Sequence, residues 1–101
     1  MEKRIKVVFK RNRETPACVV EIENTLEAFQ ELVEGRIEVG SRFAGFLIIC
    51  NEEGRLRKMP ENVFGFVGPI VLCGVDGSDC CGILHDDAEW LAWLLDGAPM
   101  S

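Results

Sequence analysis

Residues 24–39 read Asn24-Thr25-Leu26-Glu27-Ala28-Phe29-Gln30-Glu31-Leu32-Val33-Glu34-Gly35-Arg36-Ile37-Glu38-Val39. Leu26, Phe29, Leu32 and Val33 recur at helical spacing and form one apolar stripe. Asn24 is a good N-cap, and Glu27 three residues later completes a capping-box pattern. Gly35 suits the left-handed position just past a helix end. Beyond it the period changes: Ile37 and Val39 alternate with Arg36 and Glu38, which predicts a short strand with Ile37 and Val39 inward.

Upstream of this helix, Ile5, Val7 and Phe9 alternate with Lys6 and Lys10, and Val20 and Ile22 alternate with Glu21 and Glu23. Arg11 to Pro16 is polar. The two runs predict an antiparallel hairpin whose polar faces set Lys6 and Lys10 against Glu21 and Glu23. A strand, a helix and a strand in succession predict a crossover, with the helix packed on a sheet face.

Downstream, Phe46 to Cys50 and Ile70 to Val75 are continuous apolar runs that read as buried strands. Gly40 to Gly45 reads as a loop. Asn51-Glu52-Glu53-Gly54 reads as a turn with Gly54 at positive φ, and Arg55 to Met59 as the returning hairpin arm. Pro60-Glu61-Asn62 suits the opening of a short helical turn. Asp76-Gly77 predicts a reversal into a short run at Cys80 to Leu84. The last element is a helix from Asp87 to Asp96, with Asp86 as cap, Glu89 as capping-box partner and Gly97 as stop. Trp90, Leu91, Trp93, Leu94 and Leu95 make it apolar around much of its circumference. Such a helix is deeply buried or covers a neighbour.

The expected fold is therefore α+β: residues 1–101 as one domain, a mixed, mostly antiparallel sheet of five or six short strands, and two helices covering one face or flanking it. A length of 101 residues leaves no room for a second core. Apolar residues at 48% and charged residues at 28% fit an ordinary globular fold.

The net charge of −6 argues against general binding to nucleic-acid phosphates or anionic membranes. Residues 1–13 hold six basic residues and one acidic, so the other 88 carry −11. The basic start is better explained by cross-strand pairing with Glu21 and Glu23 than by nucleic acid. The longest apolar stretch, Val63 to Val75, is too short and too rich in Gly and Pro for a membrane-spanning helix. The charged, alternating start lacks a signal-peptide core, so a cytoplasmic location is expected.

No phosphate-cradling loop, EF-hand spacing or C-x-x-C pair is present, and no cofactor is implied. Cys18, Cys50 and Cys73 sit in apolar runs and read as small buried hydrophobes. Cys80, Cys81 and His85 form the only cluster with metal or Cys–His character, but neighbouring strand residues face opposite ways. The sequence predicts neither a metal site nor catalytic residues, and so no enzyme. Arg55, Arg57 and Lys58 make a second basic patch. Arg55 and Arg57 would share a strand face, able to grip an anion or to protect a sheet edge.

The run Leu26 to Glu38 resembles the opening motif of a family of uncharacterised small domains carried by phages, plasmids and integrated elements of gut Firmicutes and related bacteria. The Asn51 to Asn62 segment and the Gly68 to Leu72 strand are similar to its two later motifs. The likeness covers about residues 3–96. The chain departs from the pattern at Glu34, where a second glycine is usual, at Met59, where leucine is usual, and at Phe64-Gly65, where a small residue is usual. The resemblance implies a domain type and a mobile-element setting, but no activity. It marks Gln30, Glu38, Asn51 and Asn62 as recurrent polar positions, with structural duty as the simpler role and a polar ligand or peptide groove between the first helix and the Asn51–Asn62 segment as the functional one.

The expected function is a non-enzymatic accessory or protein-interaction domain with a protein partner. Trp90 and Trp93 are a candidate homodimer face. The alternative is an acidic decoy for a host DNA-handling or defence protein, presenting the stripe Glu27, Glu31 and Glu34.

Overall fold

The structure, a computed structural model, describes residues 4–77 and 79–97. In chain order the elements are β1 (Arg4–Lys10), β2 (Cys18–Glu23), α1 (Leu26–Val33), β3 (Ile37–Phe43), β4 (Phe46–Asn51), a 3₁₀ turn (Val63–Gly65), β5 (Ile70–Asp76), β6 (Asp79–Cys81) and α2 (His85–Leu95). The strands form one sheet in the order β2-β1-β5-β4-β3, and β6 pairs with the far end of β5. Every described ladder is antiparallel, so the mixed character expected of the sheet is absent from the described strands. β2 and β3 lie at opposite edges. α1 therefore crosses the full width of the sheet between them, which is the predicted crossover at its widest.

The helices lie on opposite faces rather than sharing one. Ile5, Val7, Phe9, Ile49, Val71 and Cys73 pack with Phe29 and Val33 of α1. Val8, Ile48, Cys50, Ile70 and Leu72 pack with Ala88, Leu91 and Leu95 of α2. The central strands β4 and β5 are buried on both faces, which is why their sequences are continuous apolar runs. On the second face α2 lies against β1 and β2. The β4–β3 half of that face is covered instead by Val63 and Phe66 from the long 52–69 excursion between β4 and β5.

Several local expectations are corrected. The cap of α1 is Thr25, whose Oγ1 accepts from Ala28 N at 3.2 Å; the Asn24 amide donates instead to the Cys80 carbonyl. The left-handed residue ending α1 is Glu34 (φ 64), not Gly35. α2 starts at His85 behind Leu84, with no side-chain cap. β3 does not stop at Val39 but runs to Phe43, with a bulge between Val39 and Ser41, and Val39 is exposed. The bulge reverses the facing of the following residues and turns Phe43 into the core.

Arg55 to Met59 is no strand, because β4 already has β3 and β5 as neighbours. It forms successive turns closed by Arg57 N to Glu53 O (2.9 Å) and Met59 N to Gly54 O (3.0 Å), so Arg55 and Arg57 share no strand face. Gly54 has no positive φ; a Cβ there would strike the Val67 carbonyl. The 3₁₀ turn is capped by Asn62, not opened by Pro60. Cys18 is exposed, unlike Cys50 and Cys73. The chain reverses after Asp76-Gly77 so that Asp76 pairs with Asp79; residue 78 and Lys3 of the basic start lie outside the described residues.

Candidate functional site

The polar residues singled out in the sequence divide into structural ties and an open cavity. Asn51 ends β4, where its amide donates to the Val33 carbonyl (2.9 Å) and its Oδ1 accepts from Glu53 N (2.7 Å). Arg57 donates to the Glu34 carbonyl at 2.7 Å. Together the two side chains satisfy carbonyls that the end of α1 leaves open. They also bring a cation to a helix C-terminus that has no basic residue of its own. Gln30 is half-buried on α1; its carbonyl accepts from the Glu34 and Gly35 amides.

Asn62 is fully buried under β1. Its amide donates to the Lys10 and Gly68 carbonyls, both at 2.9 Å, and its Oδ1 accepts from Val63 N at 2.8 Å. Asn62 thus pins the excursion to the sheet. Among the described residues, every buried side-chain nitrogen and oxygen has a partner.

Glu38, Asn51 and Arg55 meet in one place. They line a half-open cavity of about 380 Å³ between β3, β4 and the excursion, with Cys50, Glu52, Leu56, Phe64 and Phe66. Gly40 lies in its wall, and a Cβ there would overlap the Phe66 ring. Glu38 leans toward the floor, its Oε2 4.0 Å from Cys50 Sγ. Burial, and next the Glu38 charge, push the Cys50 thiol up, so it remains a neutral thiol. Arg55 donates to the Gly65 carbonyl at 3.2 Å. Phe64 stands at the mouth with φ 58, 51% exposed, its ring 5.0 Å from that of Phe43. Arg57 and Asn62 are not among the residues lining this cavity.

The acidic stripe is shorter than expected. Glu27 and Glu31 line an open cleft between α1 and β2 with Glu21, Glu23 and Arg4. Glu34 leaves the helix and pairs with Arg11 at 3.0 Å. Trp90 and Trp93 lie on the outer face of α2, 46% and 52% exposed, while Ala88, Leu91 and Leu95 take the inner face. The helix is therefore a cover for the sheet with an apolar outer side, not a deeply buried element.

Of the cluster considered for other chemistry, Cys80 packs toward the α1 face, while His85 opens α2 on the other. Cys73 is buried in the α1 face; burial first, and then a hydrogen bond with Cys80, raise its thiol far above the ordinary value. His85 Nε2 lies 2.7 Å from Glu89 Oε1, and Nδ1 lies 3.2 Å from Lys6 Nζ, so both ring nitrogens are engaged on the surface. Among the described residues, no group of three or more His, Cys, Asp or Glu is placed to hold a metal. No helix among them is long and apolar enough to cross a membrane.

Sequence reasoning missed a buried ion pair. Lys10, read with Lys6 as a polar-face residue against Glu21 and Glu23, is 2% exposed. Its Nζ lies 2.8 Å from Asp96 Oδ1 and donates to the Thr15 carbonyl at 2.7 Å. Only Lys6 of the predicted pairs stands opposite its glutamate, Glu21; Glu23 stands opposite Arg4. Phe64, Phe66 and Cys50 were also missed as cavity residues. The available signal was Gly40 directly after the Ile37 and Val39 alternation, where a glycine can mark a bulge or a close approach rather than the start of a loop.

Fold and site together define a small α+β domain whose six-stranded sheet is covered by one helix on each face. The chain belongs to the family described as Domain of unknown function (DUF3846), whose family model matches residues 5–95. No curated protein matches it, and no solved structure does.

Proposed function

We propose that this chain is a non-enzymatic protein-interaction domain of a mobile element, and that its recognition surface is the outer face of α2. The observation that carries this is the exposure of Trp90 and Trp93 one helical turn apart on an element whose other side is fully packed. Large aromatic side chains contribute most to binding when a partner desolvates them. The mobile-element setting rests on the family resemblance of the Leu26–Glu38 and Asn51–Asn62 segments.

A second copy of the chain is the less suitable occupant. Asp86, Asp87 and Glu89 are exposed on the same helix, so a symmetric dimer would bring acid against acid. A partner carrying an apolar pocket rimmed by Lys or Arg answers both features. The test is capture from nuclease-treated host lysate with the wild-type chain beside a Trp90→Ala/Trp93→Ala variant. A stoichiometric protein retained by the first and lost by the second supports the reading; equal retention by both overturns it.

A second reading is favoured by the cleft that gathers Glu21, Glu23, Glu27 and Glu31 around Arg4. An acidic decoy would present that surface to the basic site of a DNA-handling protein. Charge reversal at Glu27 and Glu31 should then abolish capture while the Trp variant leaves it intact.

A further inference from the structure

We propose that the cavity between β3, β4 and the 52–69 excursion binds an alkylammonium group, with the amine at Glu38 and Glu52 and the alkyl chain along Phe64, Phe66 and Leu56. This site is on a different surface from α2's outer face and stands or falls separately from the interaction reading.

Its volume of about 380 Å³ is within the range of small-ligand clefts. Its polarity selects the charge of the guest. Glu38 and Glu52 both line it, and neither has an ion-pair partner among the described residues. Its one basic lining residue, Arg55, is turned onto the Gly65 carbonyl. An anion would meet two carboxylates against one guanidinium, a net negative lining. A cation would neutralise them and gain charge-assisted hydrogen bonds.

The apolar wall selects the body of the guest. The faces of Phe64 and Phe66 suit a cation or the methylenes next to it. Phe64 is held out to solvent at a backbone angle that a bulky residue adopts only at a cost. Leu56 is exposed beside it at the mouth. A guest chain lying across both would cover apolar surface that is now wetted. Gly40 supports the same geometry: the bulge it allows brings Phe66 against β3 and turns Phe43 under Phe64.

An alkylammonium group reaches such a site as a free polyamine or as a lysine side chain of another protein. The experiment is a titration of the ¹⁵N-labelled full chain, followed by amide shifts, with spermidine in one arm and N-acetyl-lysine methylamide in the other. The neutral control is 1-butanol. The expected result is saturable movement of the Gly40, Gly54 and Gly65 amides with one or both amines and not with butanol. Glu38→Gln, at an exposed position, should weaken binding about tenfold or more, the loss of one charge-assisted contact. Glu52→Gln serves as the second variant should the first disturb the fold. Stronger binding of spermidine identifies a free amine as the guest, and stronger binding of the lysine derivative identifies a protein side chain. Shifts confined to Glu21, Glu23, Glu27 and Glu31, no saturation, or unchanged affinity in both variants would overturn the assignment.

Discussion

Lys10 and Asp96 stand 86 positions apart in the chain, and their Nζ and Oδ1 atoms stand 2.8 Å apart. Asp96 also accepts from the Ala17 amide at 2.8 Å. One carboxylate thus fastens the end of α2 to β1 and to the loop before β2. Asp96→Asn leaves a buried ammonium without its charge partner and should cost about 1–3 kcal/mol. Lys10→Met removes the buried charge as well and should cost less than Asp96→Asn. Urea unfolding of the two variants beside the wild type measures the order; a larger loss for Lys10→Met would contradict the clasp.

The same clasp predicts an acid limb in stability. Partial burial raises the Asp96 carboxyl, but the hydrogen bonds from Lys10 and Ala17 and the Lys10 charge outweigh it and hold the carboxyl below its ordinary value. A carboxyl lowered on folding adds stability that is full above its unfolded value, near pH 4, and fades as pH falls through its folded value. Wild-type stability should therefore decline with acidification below about pH 4. In Asp96→Asn that part of the slope should vanish, which denaturation at a series of pH values will show.

Glu34 holds φ 64 at the end of α1, a conformation that suits glycine. Its compensations are the Arg57 bond to its carbonyl and the exposed pair with Arg11. The carbonyl bond survives any substitution, and the exposed pair contributes little. Glu34→Gly should therefore stabilise the domain by about 0.5–1 kcal/mol, read as a higher urea midpoint.

Gly40 has the Phe66 ring where a Cβ would stand. Gly40→Ala should cost about 1–3 kcal/mol through overpacking. It should also disturb the Phe43–Phe64 contact, visible as shifted aromatic resonances. An unperturbed variant would show that the ring has room to move and that the bulge is not held by packing.

Much of this architecture was legible in the sequence because it rests on local periodicity. The alternation of Ile5, Val7 and Phe9, the stripe from Leu26 to Val33, and the apolar runs of β4 and β5 each announce their element. What escaped depends on lateral neighbours. Alternation places Lys10 on the face opposite Phe9, but only the tertiary fold puts the α2 terminus over that face. Arg55 to Met59 fails as a strand because no open strand is beside it to pair with. Thr25 rather than Asn24 is the cap because α1 starts at Leu26, one residue later than the capping-box spacing suggests, and the Asn24 amide nitrogen donates to the Cys80 carbonyl instead. Of the site residues, Glu38, Asn51 and Arg55 come together as neighbours of one cavity. Asn62 and Arg57 act as ties to backbone carbonyls, a role that residue type alone does not separate from ligand binding.

The chain has two tryptophans, and both lie on the outer face of α2, so intrinsic emission reports on that surface alone. Quenching by acrylamide, measured on the free chain and on its captured complex after subtraction of the partner's own emission, tests the interaction surface most directly. Efficient quenching in the free chain and strong protection in the complex is the predicted result. Equal quenching in both would contradict the assignment of α2 as the recognition element.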